Sequence, residues 1–163
     1  MQKGKSYFLI DDKIHLMDDD FSDDSSFTVK QSDWNLLEGY NILVVDDNPI
    51  NLTVAEKTLS RFSGKSFKSL NGEDAFRLFQ TTPIDLILMD LHMPIMDGFE
   101  ATKKIKASQK YIDSPIAIMA YTTYAYNDVK TDLDLNGFDG YIGKPFTHVQ
   151  VLDTILNAIN KFK

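Results

Sequence analysis

Short apolar runs alternate with helix-spaced apolar residues from about residue 41 onward. Continuous apolar runs at 42–45, 86–89 and 116–119 are typical of parallel strands that are buried on both faces. Weaker strand signals lie at 66–70 and 141–142. The pattern therefore predicts five strands, each separated from the next by a helical segment.

Apolar residues spaced three or four positions apart predict a helix after each strand. The inward positions are Leu52, Ala55, Leu59 and Phe62, then Ala75, Phe76, Leu78 and Phe79, then Phe99, Thr102 and Ile105, then Val129 and Leu133, and finally Leu152, Ile155, Leu156, Ile159 and Phe162. Five such β–α units predict an α/β domain over 41–163, with a five-stranded parallel, doubly wound sheet and helices on both faces. In such sheets ligands bind beyond the carboxyl ends of the strands.

Residues 1–40 have a different composition. They carry nine acidic against four basic residues, and seven aspartates fall between 11 and 24. This segment is expected to be an acidic linker or the remnant of an upstream domain, largely disordered. The exception is 6–10, whose composition is strand-like. Trp34, Leu36 and Leu37 either dock onto the folded part or serve as isolated anchors.

Net charge and composition exclude several classes of protein. The net charge of −7 disfavours direct nucleic-acid binding, which needs a basic surface. The absence of cysteine excludes disulfides and zinc–thiolate sites. No apolar run has the length of a membrane helix, and no signal peptide is evident. We expect a cytoplasmic protein whose chain makes no membrane contact.

Charged residues follow three of the predicted strands. Asp46 and Asp47 come after the first strand, Asp90 after the third and Lys144 after the fifth. Clustered carboxylates repel one another unless a cation or a raised pKa relieves the repulsion. Carboxylate oxygens suit Mg²⁺, and a carboxylate can itself be the nucleophile that forms an aspartyl phosphate. The pattern predicts a phosphoryl-accepting site at this edge of the sheet.

Three motifs in order resemble the receiver domain of two-component response regulators. They are Val-Val-Asp-Asp-Asn at 44–48, Met-Asp-Leu-His-Met-Pro-Ile-Met-Asp-Gly at 89–98 and Lys-Pro-Phe at 144–146. The resemblance implies that Asp90 accepts the phosphoryl group beside Mg²⁺ or Mn²⁺. Asp47 would ligate the metal directly, Asp46 would hold a metal-bound water, and the backbone carbonyl of His92 would complete the ligands. Lys144 would pair with the phosphoryl oxygens.

One position departs from the family pattern. The family places a threonine or serine at the end of the fourth strand, and counting from Pro115 gives Ala120 there. Thr122 would face the same side only if the strand extends that far. We favour the interpretation that the hydroxyl is missing, which would weaken the response to phosphorylation. Tyr141 matches the family's switch aromatic, and the bond before Pro145 is expected to be cis.

The resemblance also implies a function and partners. The phosphoryl donor would be a histidine kinase or a histidine phosphotransfer protein. The resemblance also allows the receiver to form a homodimer. The chain would catalyse only its own phosphorylation and dephosphorylation. The residues at 45–51 resemble those of receivers in hybrid sensor histidine kinases, so we favour a parent kinase of this kind, which could be anchored in a membrane. A stand-alone regulator is the alternative. The alternative function is a degenerate receiver that binds proteins regardless of phosphorylation, which Ala120 favours.

Overall fold

The computed structural model describes residues 6–10, 13–17, 35–144 and 148–163, and side chains over 35–144 and 151–163. The elements are β1 (Ser6–Ile10), β2 (Lys13–Met17), β3 (Asn41–Val45), α1 (Pro49–Ser60), β4 (Lys65–Ser69), α2 (Gly72–Thr81), β5 (Leu86–Met89), α3 (Gly98–Lys106), α4 (Gln109–Asp113), β6 (Ala117–Thr122), α5 (Tyr126–Leu135), β7 (Gly140–Gly143) and α6 (His148–Asn160).

Five parallel strands form one sheet in the order β4-β3-β5-β6-β7. The order reverses direction at β3, so a crevice opens at the carboxyl ends of β3 and β5. The predicted doubly wound α/β fold is confirmed. Strands β3, β5 and β6 are buried on both faces, as their apolar runs require.

Helices cover both faces of the sheet. On one face α1 and α6 pack through a core that includes Leu52, Leu59 and Ile155. On the other face α2 and α3 pack through Phe79 and Ile105, and α5 packs through a smaller cluster at its end of the sheet. Among the described residues no helix has both the length and the apolarity to cross a bilayer.

Polar side chains cap the helices that lead away from the site. Asn48 caps α1 by accepting from the backbone N–H of Ile50, and Pro49 occupies the first turn, where a missing N–H costs nothing. Asp97 caps α3 by accepting from the N–H of Glu100. Such caps fix where each helix starts and therefore how the preceding loop lies.

The fourth strand of the domain is longer than the sequence predicted. Instead of ending at Met119, β6 continues to Thr122, because Ala120, Tyr121 and Thr122 pair with Tyr141, Ile142 and Gly143 of β7. All six residues of β6 are buried. The side chains of Thr122 and Ala120 therefore face the same side of the sheet, because the two residues lie two positions apart in one strand.

The described part of the segment before the sheet contains two strands. The strand-like run at Ser6–Ile10 does form a strand, and it pairs antiparallel with Lys13–Met17, where no strand was predicted. Alternating Ile14 and Leu16 carry that signal, which neighbouring aspartates obscured. Leu37 is fully buried in the core beside α1 and α6, so it docks onto the domain, whereas Leu36 is 41% exposed. Trp34 lies outside the described residues.

Candidate functional site

The site lies at the carboxyl ends of three parallel strands. Asp46 and Asp47 follow β3, Asp90 follows β5 and Lys144 follows β7. Backbone hydrogen bonds extend the sheet to these residues: the N–H of Asp90 donates to the carbonyl of Val45 at 2.9 Å, and that of Lys144 to the carbonyl of Thr122 at 2.8 Å. The predicted charged residues are therefore brought together by the rigid part of the fold.

The three carboxylates converge on a common point. One oxygen from each of Asp46, Asp47 and Asp90 lies within 4.8 Å of the other two. Asp46 is fully buried, the Asp90 side chain is 13% exposed and Asp47 is exposed. Hard oxygen donors with one face open to water are what Mg²⁺ requires, because this ion keeps several waters. The donor set fits the predicted cation.

Asp46 is held by an extensive set of hydrogen bonds. Its Oδ1 accepts from the backbone N–H of Asn48 at 2.8 Å, and the Asn51 side-chain amide donates to both of its oxygens at 3.1 and 3.0 Å. Sequence reasoning missed Asn51. The available signal was a polar residue four positions before Ala55 on the inward stripe of α1.

Lys144 bridges the carboxylates and is itself largely buried. Its Nζ contacts Asp46 and lies 3.1 Å from Oδ2 of Asp90, and its side chain is 7% exposed. The ammonium also lies 4.5 Å from the ring centroid of Tyr121, a residue that sequence reasoning did not single out. One cation thus faces three carboxylates, so the site carries excess negative charge.

Burial raises the pKa of the Asp90 carboxyl above its ordinary value of 3.8, and the charge of Asp46 adds to this. The charge and hydrogen bond of Lys144 and the backbone N–H of Leu91, which donates to Oδ1 at 2.8 Å, oppose the rise. Burial also raises the pKa of Tyr121, with smaller contributions from Asp46 and Asp90. A second cation at this site would favour the ionised, nucleophilic form of Asp90.

The loop after Asp90 packs tightly against the backbone of that residue. The N–H of Gly98 donates to the carbonyl of Leu91 at 3.0 Å, and a Cβ at Gly98 would overlap the backbone oxygen of Asp90. Only glycine allows this close approach. The Asp-Gly pair at 97–98 therefore sets both the cap of α3 and the position of the Asp90 backbone.

Sequence comparison matches residues 42–156 to the response regulator receiver domain. The chain belongs to this family. The match covers the parallel sheet except its first residue, Asn41, and most of α6, and it includes each of the converging aspartates and Lys144. The protein thus contains a receiver domain of two-component phosphorelay signalling.

Curated relatives of this receiver are histidine kinases. It is 38% identical over 146 residues to probable histidine kinase 4 of rice (Oryza sativa subsp. japonica), covering 78% of this chain and 14% of the kinase. It is 36% identical over 117 residues to the sensor histidine kinase GacS of Pseudomonas protegens, covering 71% of this chain and 13% of that protein. The chain thus matches only a small part of the relatives' length.

Solved receiver structures resemble the domain closely. The receiver domain of a Pseudomonas aeruginosa sensor histidine kinase, with a magnesium ion coordinated in the active-site cleft, is 30% identical with a TM-score of 0.68 and covers 75% of this chain and 98% of that one. A Saccharomyces cerevisiae receiver, crystallised with its histidine phosphotransfer protein, is 26% identical with a TM-score of 0.69, covering 75% of this chain and 90% of that one.

Beside the receiver's acidic site lies an aromatic cluster. The exposed His92 ring packs edge-on against Tyr124 at 4.9 Å between centroids, so its side chain is not among the converging donors. The Tyr141 hydroxyl donates to the backbone carbonyl of Tyr124 at 2.6 Å, and its ring lies 5.3 Å from that of Tyr126. These contacts link the loop after β5 to the loop after β6.

The candidate switch positions occupy different surroundings. Ala120 is fully buried and packs with Leu91, Val129 and Leu133. Thr122, at the carboxyl end of β6, is 1% exposed, and its Oγ1 accepts from the N–H of Tyr124 at 3.3 Å. Ala120 therefore lies two residues short of the strand end where a hydroxyl was expected. Pro145, with its predicted cis bond, and Phe146 lie outside the described residues.

Proposed function

We propose that Asp90 accepts a phosphoryl group from a phosphohistidine of a protein donor. The observation that carries this proposal is the convergence of three carboxylate oxygens within 4.8 Å, with Lys144 Nζ 3.1 Å from Asp90. A carboxylate oxygen of Asp90 attacks phosphorus while the phosphorus–nitrogen bond to the donor imidazole breaks and its electron pair returns to that nitrogen. The product is an aspartyl phosphate.

The reaction depends on a divalent cation in this proposal. Asp46, Asp47 and Asp90 would hold Mg²⁺ or Mn²⁺, with the backbone carbonyl of His92 completing the protein ligands. The bound ion supplies positive charge that offsets the charge on the phosphoryl oxygens. Lys144 would offer its ammonium, which lies 3.1 Å from Oδ2 of Asp90, to the phosphoryl oxygens. The magnesium ion of the related P. aeruginosa receiver supports this assignment.

Thr122, rather than Ala120, is proposed to donate its hydroxyl to the phosphoryl group. Thr122 lies at the carboxyl end of a strand whose neighbour ends at Met89, just before Asp90. A rotation of the Thr122 side chain toward the phosphoryl oxygen would break the bond that its Oγ1 accepts from the N–H of Tyr124, whose carbonyl accepts from Tyr141. Tyr141 would then report phosphorylation to α5. With a hydroxyl at this position, the main argument for a degenerate receiver is lost.

A protein donor has to cover the rim of the site to bring its phosphohistidine to Asp90. Near this rim α1 presents Ile50 and Val54, which are 71% and 51% exposed, and Leu70, 48% exposed, follows β4. Leu70 also lines a groove of about 740 Å³ between α1 and α2. Exposed apolar residues next to a reactive site are typical of a partner surface. The yeast receiver solved with its histidine phosphotransfer protein supports a partner of this class.

The parent protein is proposed to be a hybrid sensor histidine kinase, because the curated relatives are kinases of which the matched region is a small part. In such a protein the chain would be the receiver module and the kinase activity would belong to other domains. The receiver itself is proposed to be cytoplasmic, because a histidine kinase needs the nucleotide of that compartment to form the phosphohistidine of the donor.

Mass measurement tests the central proposal. Incubation with acetyl phosphate and Mg²⁺ should add one phosphate to the intact chain, and EDTA should prevent the addition. Asp90→Asn should abolish the adduct. Asp97→Asn is the matched control, since it removes a carboxylate from the same loop and asparagine still caps α3. An adduct that survives in Asp90→Asn, or none in the unmodified chain, would overturn the proposal.

A further inference from the structure

The buried ammonium of Lys144 has an aromatic neighbour that the proposed reaction does not use. Its Nζ lies 4.5 Å from the centroid of the Tyr121 ring, within the range in which a ring face attracts a cation. Tyr121 is 3% exposed and Lys144 is 7% exposed in its side chain. Such an interaction is stronger when both groups are removed from water.

The backbone of β6 holds the same lysine from a second point. The N–H of Lys144 donates to the carbonyl of Thr122 at 2.8 Å, so consecutive residues of β6 hold its backbone and its ammonium. Lysine has a long, flexible side chain that loses rotamer entropy when its ammonium is fixed in place. A fixed ring beside the ammonium reduces the positions that it can occupy. The ammonium is thereby kept between Asp46 and Asp90.

We infer that Tyr121 is a positioning residue for phosphoryl binding, acting through its ring on the Lys144 ammonium. This inference rests on the proposed function, because it assigns Lys144 to the phosphoryl oxygens. The ring holds the ammonium beside Asp90 before the phosphoryl group arrives, so less ordering accompanies binding. The divalent cation would be held by Asp46, Asp47 and Asp90 and not by the ring.

Beryllofluoride, which mimics a phosphoryl group on a carboxylate, is the probe. Its affinity in the presence of Mg²⁺ is measured by calorimetry for the unmodified chain, Tyr121→Phe and Tyr121→Leu. We expect Tyr121→Leu to bind beryllofluoride about 10-fold more weakly, given the size of desolvated cation–π interactions. Tyr121→Phe keeps the ring without the hydroxyl and should retain the affinity. The affinity for Mg²⁺ alone should not fall in either variant.

Tyr111→Leu is the matched control. Its ring faces the Lys106 ammonium at 5.5 Å in another part of the domain, so the substitution removes the same kind of contact away from the site. It should leave beryllofluoride affinity unchanged. If Tyr121→Leu does not fold, phenylalanines carrying one, two and three fluorines at position 121 replace it. Fluorination weakens the ring's attraction for a cation at nearly constant size, so affinity should fall stepwise.

The possible outcomes separate the two ideas. Equal beryllofluoride affinity in Tyr121→Leu and the unmodified chain overturns the inference and leaves the proposed function intact. A loss of Mg²⁺ affinity in Tyr121→Leu as large as the loss of beryllofluoride affinity also overturns the inference, because it indicates a structural role only. The same holds if beryllofluoride affinity does not change across the fluorinated variants. If the unmodified chain binds no beryllofluoride with Mg²⁺, the proposed function fails and the inference fails with it.

Discussion

The two ends of the parallel sheet differ in how their carboxylates are balanced by cations and hydrogen-bond donors. At the amino ends of the strands, Asp139 pairs with Lys106 at 3.3 Å and accepts from the N–H of Ile118, and Asp85 accepts from the N–H of Asn41 at 2.7 Å. At the carboxyl ends, Asp46, Asp47 and Asp90 share Lys144.

This difference separates stability from function within one domain. At the amino ends each of these partly buried carboxylates is matched by a cation or a backbone donor, so these contacts contribute to folding. At the carboxyl ends the excess of carboxylates opposes folding, and under the proposed function it serves to bind a cation and a phosphoryl group. Substitutions at the two ends should therefore affect different measurements.

The largest expected effect on stability comes from the amino end. Leu37 is fully buried, and Leu37→Ala should lower the free energy of unfolding by about 2–5 kcal/mol, because it removes buried methyl groups and leaves a cavity. Leu36→Ala, at a position 41% exposed, is the control and should have little effect. Urea unfolding measures both. Loss of phosphate labelling in folded Leu37→Ala would contradict the separation of the two ends.

A partner-specific effect should come from the rim of the carboxyl end. Replacing Ile50 and Val54 together with serine should slow phosphotransfer from a phosphorylated histidine phosphotransfer protein about 10-fold, because it removes exposed apolar contact area. Labelling by acetyl phosphate should stay unchanged. Ile112→Ser, at a position 62% exposed on α4, is the control. An equal slowing with both donors would place the defect in the site instead of the docking surface.

A smaller effect should appear in the pH dependence of stability. Because the pKa of Asp90 is raised in the folded state, the folded protein binds this proton more tightly than the unfolded chain does. The resulting stabilisation is present below the ordinary pKa of 3.8 and is lost as pH rises through the folded pKa. Asp90→Asn cannot lose it. In EDTA, the melting temperature of Asp90→Asn relative to that of the unmodified chain should therefore increase as pH rises. A difference between the two melting temperatures that stays constant with pH would contradict this.

The smallest expected effect concerns a buried hydroxyl in neither charged region. Thr102 is fully buried in α3, and its Oγ1 has no hydrogen-bond partner. Thr102→Val keeps the shape and removes the unsatisfied group, so stability should stay level or rise by about 1 kcal/mol. Thermal unfolding measures the change in stability. Thr58→Val is the control, because it removes a hydroxyl that has a partner: Thr58 Oγ1 donates to the carbonyl of Val54 at 2.9 Å. A marked loss in Thr102→Val would indicate a polar partner for its hydroxyl.

The sequence predicted the sheet and the charged residues well because both follow simple rules. Continuous apolar runs mark buried parallel strands, and residues after such strands meet at one edge. The end of β6 was mispredicted because Tyr121 and Thr122 read as loop residues, whereas pairing with β7 extends the strand. Asn51 and the ring of Tyr121 were missed because their contacts are set by tertiary packing, which local pattern does not encode.

Gly98 has a consequence for protein engineering. Because a Cβ at this position would overlap the backbone oxygen of Asp90, the backbone of Asp90 and the first turn of α3 must move together. Chimeras that exchange loops between receivers should therefore take residues 90–98 as one indivisible cassette. A splice within it would move the nucleophile even if every ligand were retained.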